Sequence, residues 1–189
     1  MMKLCLGLSR AIDAMNERIA FVADWLVLLS CLISAGNAFS RYAFNLSSNA
    51  WLEIQWYLFA AIFLLCAGYT LLRNEHVRID VVAGRLSART QAWIDLVGSL
   101  LFLLPMSLII GILAWPLVAD SFERGEISGD AGGLLRWPVK LLIPLGFALL
   151  ALQGVSELIK RIAFLAGRIP DPAARQHAHA GEPPESEHV

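Results

Sequence analysis

The residues best suited to chemistry in this chain are ionisable groups set inside apolar sequence. Asp24, Glu53, Asp95 and Glu157 lie in or beside long runs of aliphatic and aromatic side chains, with Arg41 and Lys140 as nearby cations. An unpaired charge is expensive in hydrocarbon, so each group demands a partner or an ion pathway. Other chemistries fail for want of residues. Histidine occurs only at 76, 177, 179 and 188, outside the apolar runs, so a membrane haem has no axial ligand. Cys5, Cys31 and Cys66 are odd in number and include no CxxC, which removes a disulfide framework, a zinc cluster and a thiol-redox centre. No HExxH and no phosphate-binding glycine loop occurs. His177 and His179 have ligand-like spacing, but chance accounts for it in a tail rich in Pro, Glu and Ala. No enzyme activity, cofactor or metal site is expected.

The elements that must position these groups follow from composition. The chain has 189 residues, 57% of them hydrophobic and 16% charged, where soluble proteins average ~45–50% and ~25%. Mean hydropathy is +0.61. A formal charge of −1 provides no basic surface for nucleic acid. Apolar segments at 19–40, 51–72, 93–118 and 139–159 are each long enough for the roughly 20 residues that cross a bilayer. The predicted fold is therefore an all-α integral membrane protein with four transmembrane helices in one domain, 19–164, and the lipid bilayer as its medium. Pro105 and the pair Trp115-Pro116 predict a bent third span. All six tryptophans fall within about two turns of a predicted membrane face, where amphipathic rings settle.

Residues 1–18 contain no cleavage site and are not read as a signal peptide. Leu4, Leu8, Ile12, Met15 and Ile19 recur at helical spacing, which fits either an interfacial amphipathic helix or a polar extension of span one. Residues 165–189 read as a disordered tail. Eleven of the fifteen Lys and Arg residues fall in the two terminal segments and the second connection; four fall on the other side. The positive-inside rule then puts both termini in the cytoplasm.

Several polar sets remain. Ser30, Ser34, Asn37 and Arg41 recur at offsets of four, three and four and form one stripe on span one. It reads as a helix seam in preference to an ion pathway, because only one charge lies on it. Glu53 enters the membrane at the depth of Arg41 across the short first connection, so a structural ion pair between them is expected. His76, Arg78 and Asp80 form a tight cluster after span two, read as fixing the second loop, with a pH sensor as the alternative. Asp120, Glu123, Glu126 and Asp130 stand among Gly125, Gly129, Gly132 and Gly133 in the longest external loop, an adaptable acidic surface for a basic partner or simply a solvated connection.

The stretch from Arg41 to Val82 is the most distinctive. It holds Arg41-Tyr42-Ala43-Phe44-Asn45 at the end of span one, Trp51-Leu52-Glu53 opening span two, and His76-Val77-Arg78-Ile79-Asp80 in the following loop. These motifs, in this order, resemble the small, DctQ-like membrane subunit of tripartite ATP-independent periplasmic (TRAP) transporters. Trp93-Ile94-Asp95 and the segment "GGLLRWPVKLLIPLGFALLALQGVSEL" resemble more narrowly the mannitol, chloroaromatic or 2-oxo-acid branch. Gln55 departs from the acidic or small residues many members carry near the glutamate. The resemblance implies a subunit of a bacterial inner-membrane complex that scaffolds a large membrane subunit. It further implies a periplasmic solute-binding protein as partner and ion-gradient-driven uptake of a carboxylate-bearing solute. A self-sufficient small transporter or channel, and an assembly factor of another membrane complex, are the competing readings.

Overall fold

The computed structural model describes residues 2–46, 48–74 and 86–170. The expected cluster His76, Arg78 and Asp80 lies outside them, as does the tail from 171 onward. The chain forms α1 (Met2–Phe44), α2 (Asn49–Leu72), α3 (Ala88–Gly98), a π-helical turn (Ser99–Leu103), α4 (Leu104–Glu123) and α5 (Trp137–Leu165). The segment Ala88–Glu123 is one span, so among the described residues four helices are long and apolar enough to cross a membrane. Helices are what such sequence must form there, because lipid leaves every backbone donor and acceptor to be satisfied within the segment.

Local chemistry sets the ends. Asn45 takes φ +54, which closes α1 through Asn45 N–H to the Arg41 carbonyl at 3.1 Å. Ser87 caps α3 by accepting from Thr90 N–H at 3.3 Å. The irregularity expected at Pro105 takes the form of the π-turn. Proline has no N–H to give the preceding turn and crowds its carbonyl. The chain widens just before it, and Leu104 N–H reaches back to Ser99 O. α1 is continuous over 43 residues, so residues 2–18 extend span one as a single helix.

The helices do not form a closed bundle. α5 packs against α1, α2 and all three pieces of the third span; α1 and α2 pack on each other; among the described residues the third span has no other extensive neighbour than α5. Burial follows this arrangement: 39% of the apolar window of α5 is buried, against 6–11% for the other spans. Small residues make the close approach feasible. A Cβ at Gly146 would stand 2.7 Å from the Leu64 carbonyl oxygen, so α5 meets the α2 backbone directly.

A second set of contacts is polar and lies where α1 begins and α5 ends. Ser9, Ile12, Asn16, Ala20 and Ala23 form the buried face of α1. Asn16 Nδ2 donates to Gln153 Oε1 at 2.8 Å, and Gln153 Nε2 donates to Asp13 Oδ1 at 2.9 Å. Ser156 donates to Asp13 Oδ1 at 2.7 Å, which leaves Ser9 to donate to Ser156 Oγ, also at 2.7 Å. Lys160 Nζ bridges Asp13 at 2.9 Å and Glu157 at 2.7 Å. Asp95 of α3 meets Arg161 at 3.0 Å. Asp95 thus ties the third span to α5.

Replacing Gly146 by Ala is expected to force α2 and α5 apart. Overpacking of this kind costs about 1–3 kcal/mol, so the detergent Tm should fall clearly. Gly7→Ala, where an added Cβ meets nothing within 4 Å, should leave it unchanged. Equal Tm values for the two variants would refute the direct backbone contact.

Candidate functional site

The connection between α4 and α5, residues 124–136, is the best-defined polar structure on the face opposite the termini. It starts with Gly125 at φ +57 behind α4, Gly125 N–H bonding to Phe122 O and Glu126 N–H to Ser121 O. Its arms then pair. Ser128 N–H reaches Leu134 O at 2.9 Å, and Arg136 N–H reaches Glu126 O at 2.9 Å, around an antiparallel bridge of Ile127 with Leu135. The turn closes through Gly133 N–H to Asp130 O at 2.9 Å, with Gly132 at φ +75, a backbone conformation that favours glycine.

Two residues one turn apart on α2 pin this loop. Glu53 Oε2 accepts from Leu134 N–H at 2.8 Å, and Tyr57 Oη donates to Leu135 O at 3.1 Å. Glu53 is 4% exposed, with Ser128, Asp130 and Arg136 around it. The expected Arg41–Glu53 pair is therefore corrected. Arg41 is exposed in the last turn of α1, where a cation complements the carbonyl end of the helix dipole. Glu53 is turned toward the loop, where its Oε2 accepts from a backbone donor 81 residues away.

The four loop acids do not act alike. Asp120 pairs with Arg124 one turn on, and Glu126 is held by Lys140 and by Arg136 at 3.7 Å. Glu123 and Asp130 are exposed, as are Ile127 at 61% and Leu135 at 47%. The adaptable glycine-rich loop expected from sequence is instead a fastened hairpin that shows acid and aliphatic groups to solvent. The Lys140 ammonium, donating to Glu126, holds its carboxyl below the usual 4.5. A depressed carboxyl pKa adds stability above the unfolded value, and that contribution is lost as pH falls through the folded one.

The polar stripe of α1 is also divided. Ser30 and Asn37 are half-buried, whereas Ser34 and Arg41 are exposed. Asn37, Gly36 and Ser40 line a hollow of about 630 Å³ beside Trp51. The polar set missing from sequence reasoning is the clamp of Ser9, Asp13 and Asn16 with Gln153, Ser156 and Lys160. Its signal was present: polar residues at offsets of four and three on one helix, and of three and four on the other. The apolar residues that alternate with the first set drew attention away from it.

Among the described residues, no three His, Cys, Asp or Glu side chains converge as metal ligands. What the arrangement can do is hold helices and present surfaces. Three apolar spans arranged on a fourth, with a fastened hairpin on the face opposite the termini, define a multi-pass membrane component. Residues 30–164 match the family described as tripartite ATP-independent periplasmic transporters, DctQ component, and the chain belongs to that family. The family is a transporter component and not a family of enzymes. Neither a curated protein nor a solved structure matches the chain.

Substituting Glu53 by Ala removes the acceptor for Leu134 N–H. A hydrogen bond to a charged group contributes about 1.5–3 kcal/mol, so amide exchange at Leu134 should accelerate at least about tenfold. Arg41→Ala should leave that amide unaffected; acceleration in both variants would restore the ion pair. Limited proteolysis of the loop should be constant from neutral pH to about 5 and rise only below 4.5, as Glu126 becomes protonated. A rise beginning near pH 7 would remove Glu126 as the fastening group.

Proposed function

We propose that this chain is the small membrane subunit that scaffolds the large membrane subunit of a TRAP transporter. Membership of the DctQ family carries this reading. The geometry supports it: the outward faces of α1, α2 and the third span are left uncovered by one another, so most of the apolar surface is available to lipid and to a second membrane protein. The eleven-to-four distribution of Lys and Arg supports an inner-membrane orientation with both termini in the cytoplasm and the hairpin 124–136 in the periplasm.

In this reading the periplasmic binding protein delivers a carboxylate-bearing solute, and an ion gradient drives its uptake through the large subunit. The substrate class follows the resemblance to the mannitol, chloroaromatic or 2-oxo-acid branch. This chain performs no translocation step itself. Its part is to hold a fixed platform, with Glu53 and Tyr57 fastening the hairpin so that Glu123, Asp130 and Ile127 stay displayed toward the binding protein. A fastened loop loses less conformational entropy on docking than a free one. Acidic groups on it steer a basic patch and raise the association rate, chiefly at low salt.

The assignment is tested by co-expression and reconstitution. The chain should co-purify with the large subunit, and liposomes holding both should take up solute only with the loaded binding protein. Flux through the chain alone would instead make it a self-sufficient transporter. Within the intact complex, Glu123→Gln with Asp130→Asn should raise the half-saturating concentration of binding protein several-fold at low salt, with little change in maximal rate. Identical saturation curves for variant and parent would remove the hairpin from docking.

A further inference from the structure

Of the four carboxylates set in or beside the apolar runs, three find partners within the described residues: Glu53 in Leu134 N–H, Asp95 in Arg161 and Glu157 in Lys160. Asp24 is the exception. It is exposed on α1, and among the described residues nothing gives it an ion pair or a hydrogen bond. The group that feels its charge is the Cys66 thiol of α2.

Cys66 fixes the depth. α2 carries no charged side chain between Glu53 and Arg73, which lie 20 residues apart. That is about 30 Å at 1.5 Å per residue, the thickness of the hydrocarbon core. Cys66 stands two turns inward of Arg73, and Asp24 two turns inward of Glu17, which pairs with Arg73 at 3.5 Å. Both helices therefore place the Asp24 carboxylate about 10 Å inside the terminus-side boundary. Lysine and arginine can carry a charge back to the headgroups on a long stem; aspartate has no such reach.

The face on which Asp24 lies is shaped for a helix. Asp24, Leu28, Cys31, Ala35, Ala38 and Tyr42 recur at offsets of four and three, and all six are exposed. This heptad spacing keeps one seam against a neighbouring helix at a shallow crossing angle. Cys31, Ala35 and Ala38 are small, so a second backbone can come close along the middle of the seam. Charge decides which occupant fits. Lipid chains offer no counter-charge at this depth. A second copy of this chain, related by the twofold axis usual for dimers, would set Asp24 against Asp24. A transmembrane helix with a lysine or arginine here supplies the missing donor and has its own buried charge neutralised in return.

We infer that this face of α1 docks a transmembrane helix of the large subunit, apolar except for one Lys or Arg that pairs with Asp24. The inference rests on the scaffold reading and adds to it the contact face and the chemistry of the partner helix.

The test co-expresses both full-length proteins and measures recovery of the complex in mild detergent. Asp24→Asn should lower recovery about tenfold, whereas Asp24→Glu should keep most of it. Ala35→Leu, which fills the middle of the seam, should lower it likewise. Each variant chain alone should keep the parent Tm, because the seam faces away from the rest of the chain. In the complex, a photoactivatable phenylalanine replacing Leu28 should cross-link to a helix of the large subunit that bears a Lys or Arg within about one turn of the linked position. Undiminished recovery with Asp24→Asn would overturn the pairing and leave the scaffold reading standing. So would a cross-link to a second copy of this chain, or a lower Tm for the Asp24→Asn chain alone, which would place the carboxylate's partner within the chain. Failure of the parent chain to co-purify with the large subunit would overturn both.

Discussion

Everything in this fold depends on how closely other backbones can approach α5. In a bilayer there is no hydrophobic drive to bring one apolar helix to another, since lipid solvates each equally well. What remains is packing at short range and hydrogen bonding, and α5 carries the residues for both. Gly146 admits the α2 backbone, and Gly154 admits Leu103 of the π-turn, where a Cβ would lie 2.5 Å from Leu103 Cδ2. Beside it, Gln153, Ser156 and Lys160 take up α1 through hydrogen bonds and an ion pair. The other three spans are arranged by the one that carries these residues.

The two ends of the molecule solve the problem of polar groups differently. On the terminus side, side chains from α1 and α5 satisfy one another in a chain from Ser9 through Ser156 and Asp13 to Lys160. On the opposite side, side chains of α2 satisfy the backbone of a loop. The first arrangement joins helices; the second shapes a surface. Both connect segments far apart in sequence, from 78 residues for Tyr57 and Leu135 to 147 for Ser9 and Ser156.

That separation explains what was legible in the sequence. Hydropathy is a local property, so the four spans and the disturbance at Pro105 could be read directly. The Arg41 to Val82 motifs carried the family. The partner of Glu53 was not legible, because the choice between Arg41 and Leu134 depends on which face of α2 the third connection covers. Nearness in sequence favoured Arg41, and tertiary placement overrode it. The clamp escaped for a related reason. Asp13 and Asn16 read as ordinary surface residues before a span, and only the length of α1 carries them alongside Gln153. The half-buried face of α1 passes through Ser30 and Asn37 but not through Ser34 or Arg41, a difference that depends on the angle at which α2 lies.

The central position of α5 also bears on how the protein is made. α5 is the last of the four spans to be synthesised, and chains are built and inserted from the N-terminus. α1 and α2 have each other as soon as both are in the bilayer. Among the described residues the third span has no extensive contact except with α5, so by those contacts it waits in lipid as a solitary helix until the C-terminal segment emerges. Assembly is therefore completed after insertion, and a nascent chain halted before residue 137 holds an unattached third span, the form of the protein most exposed to membrane quality control.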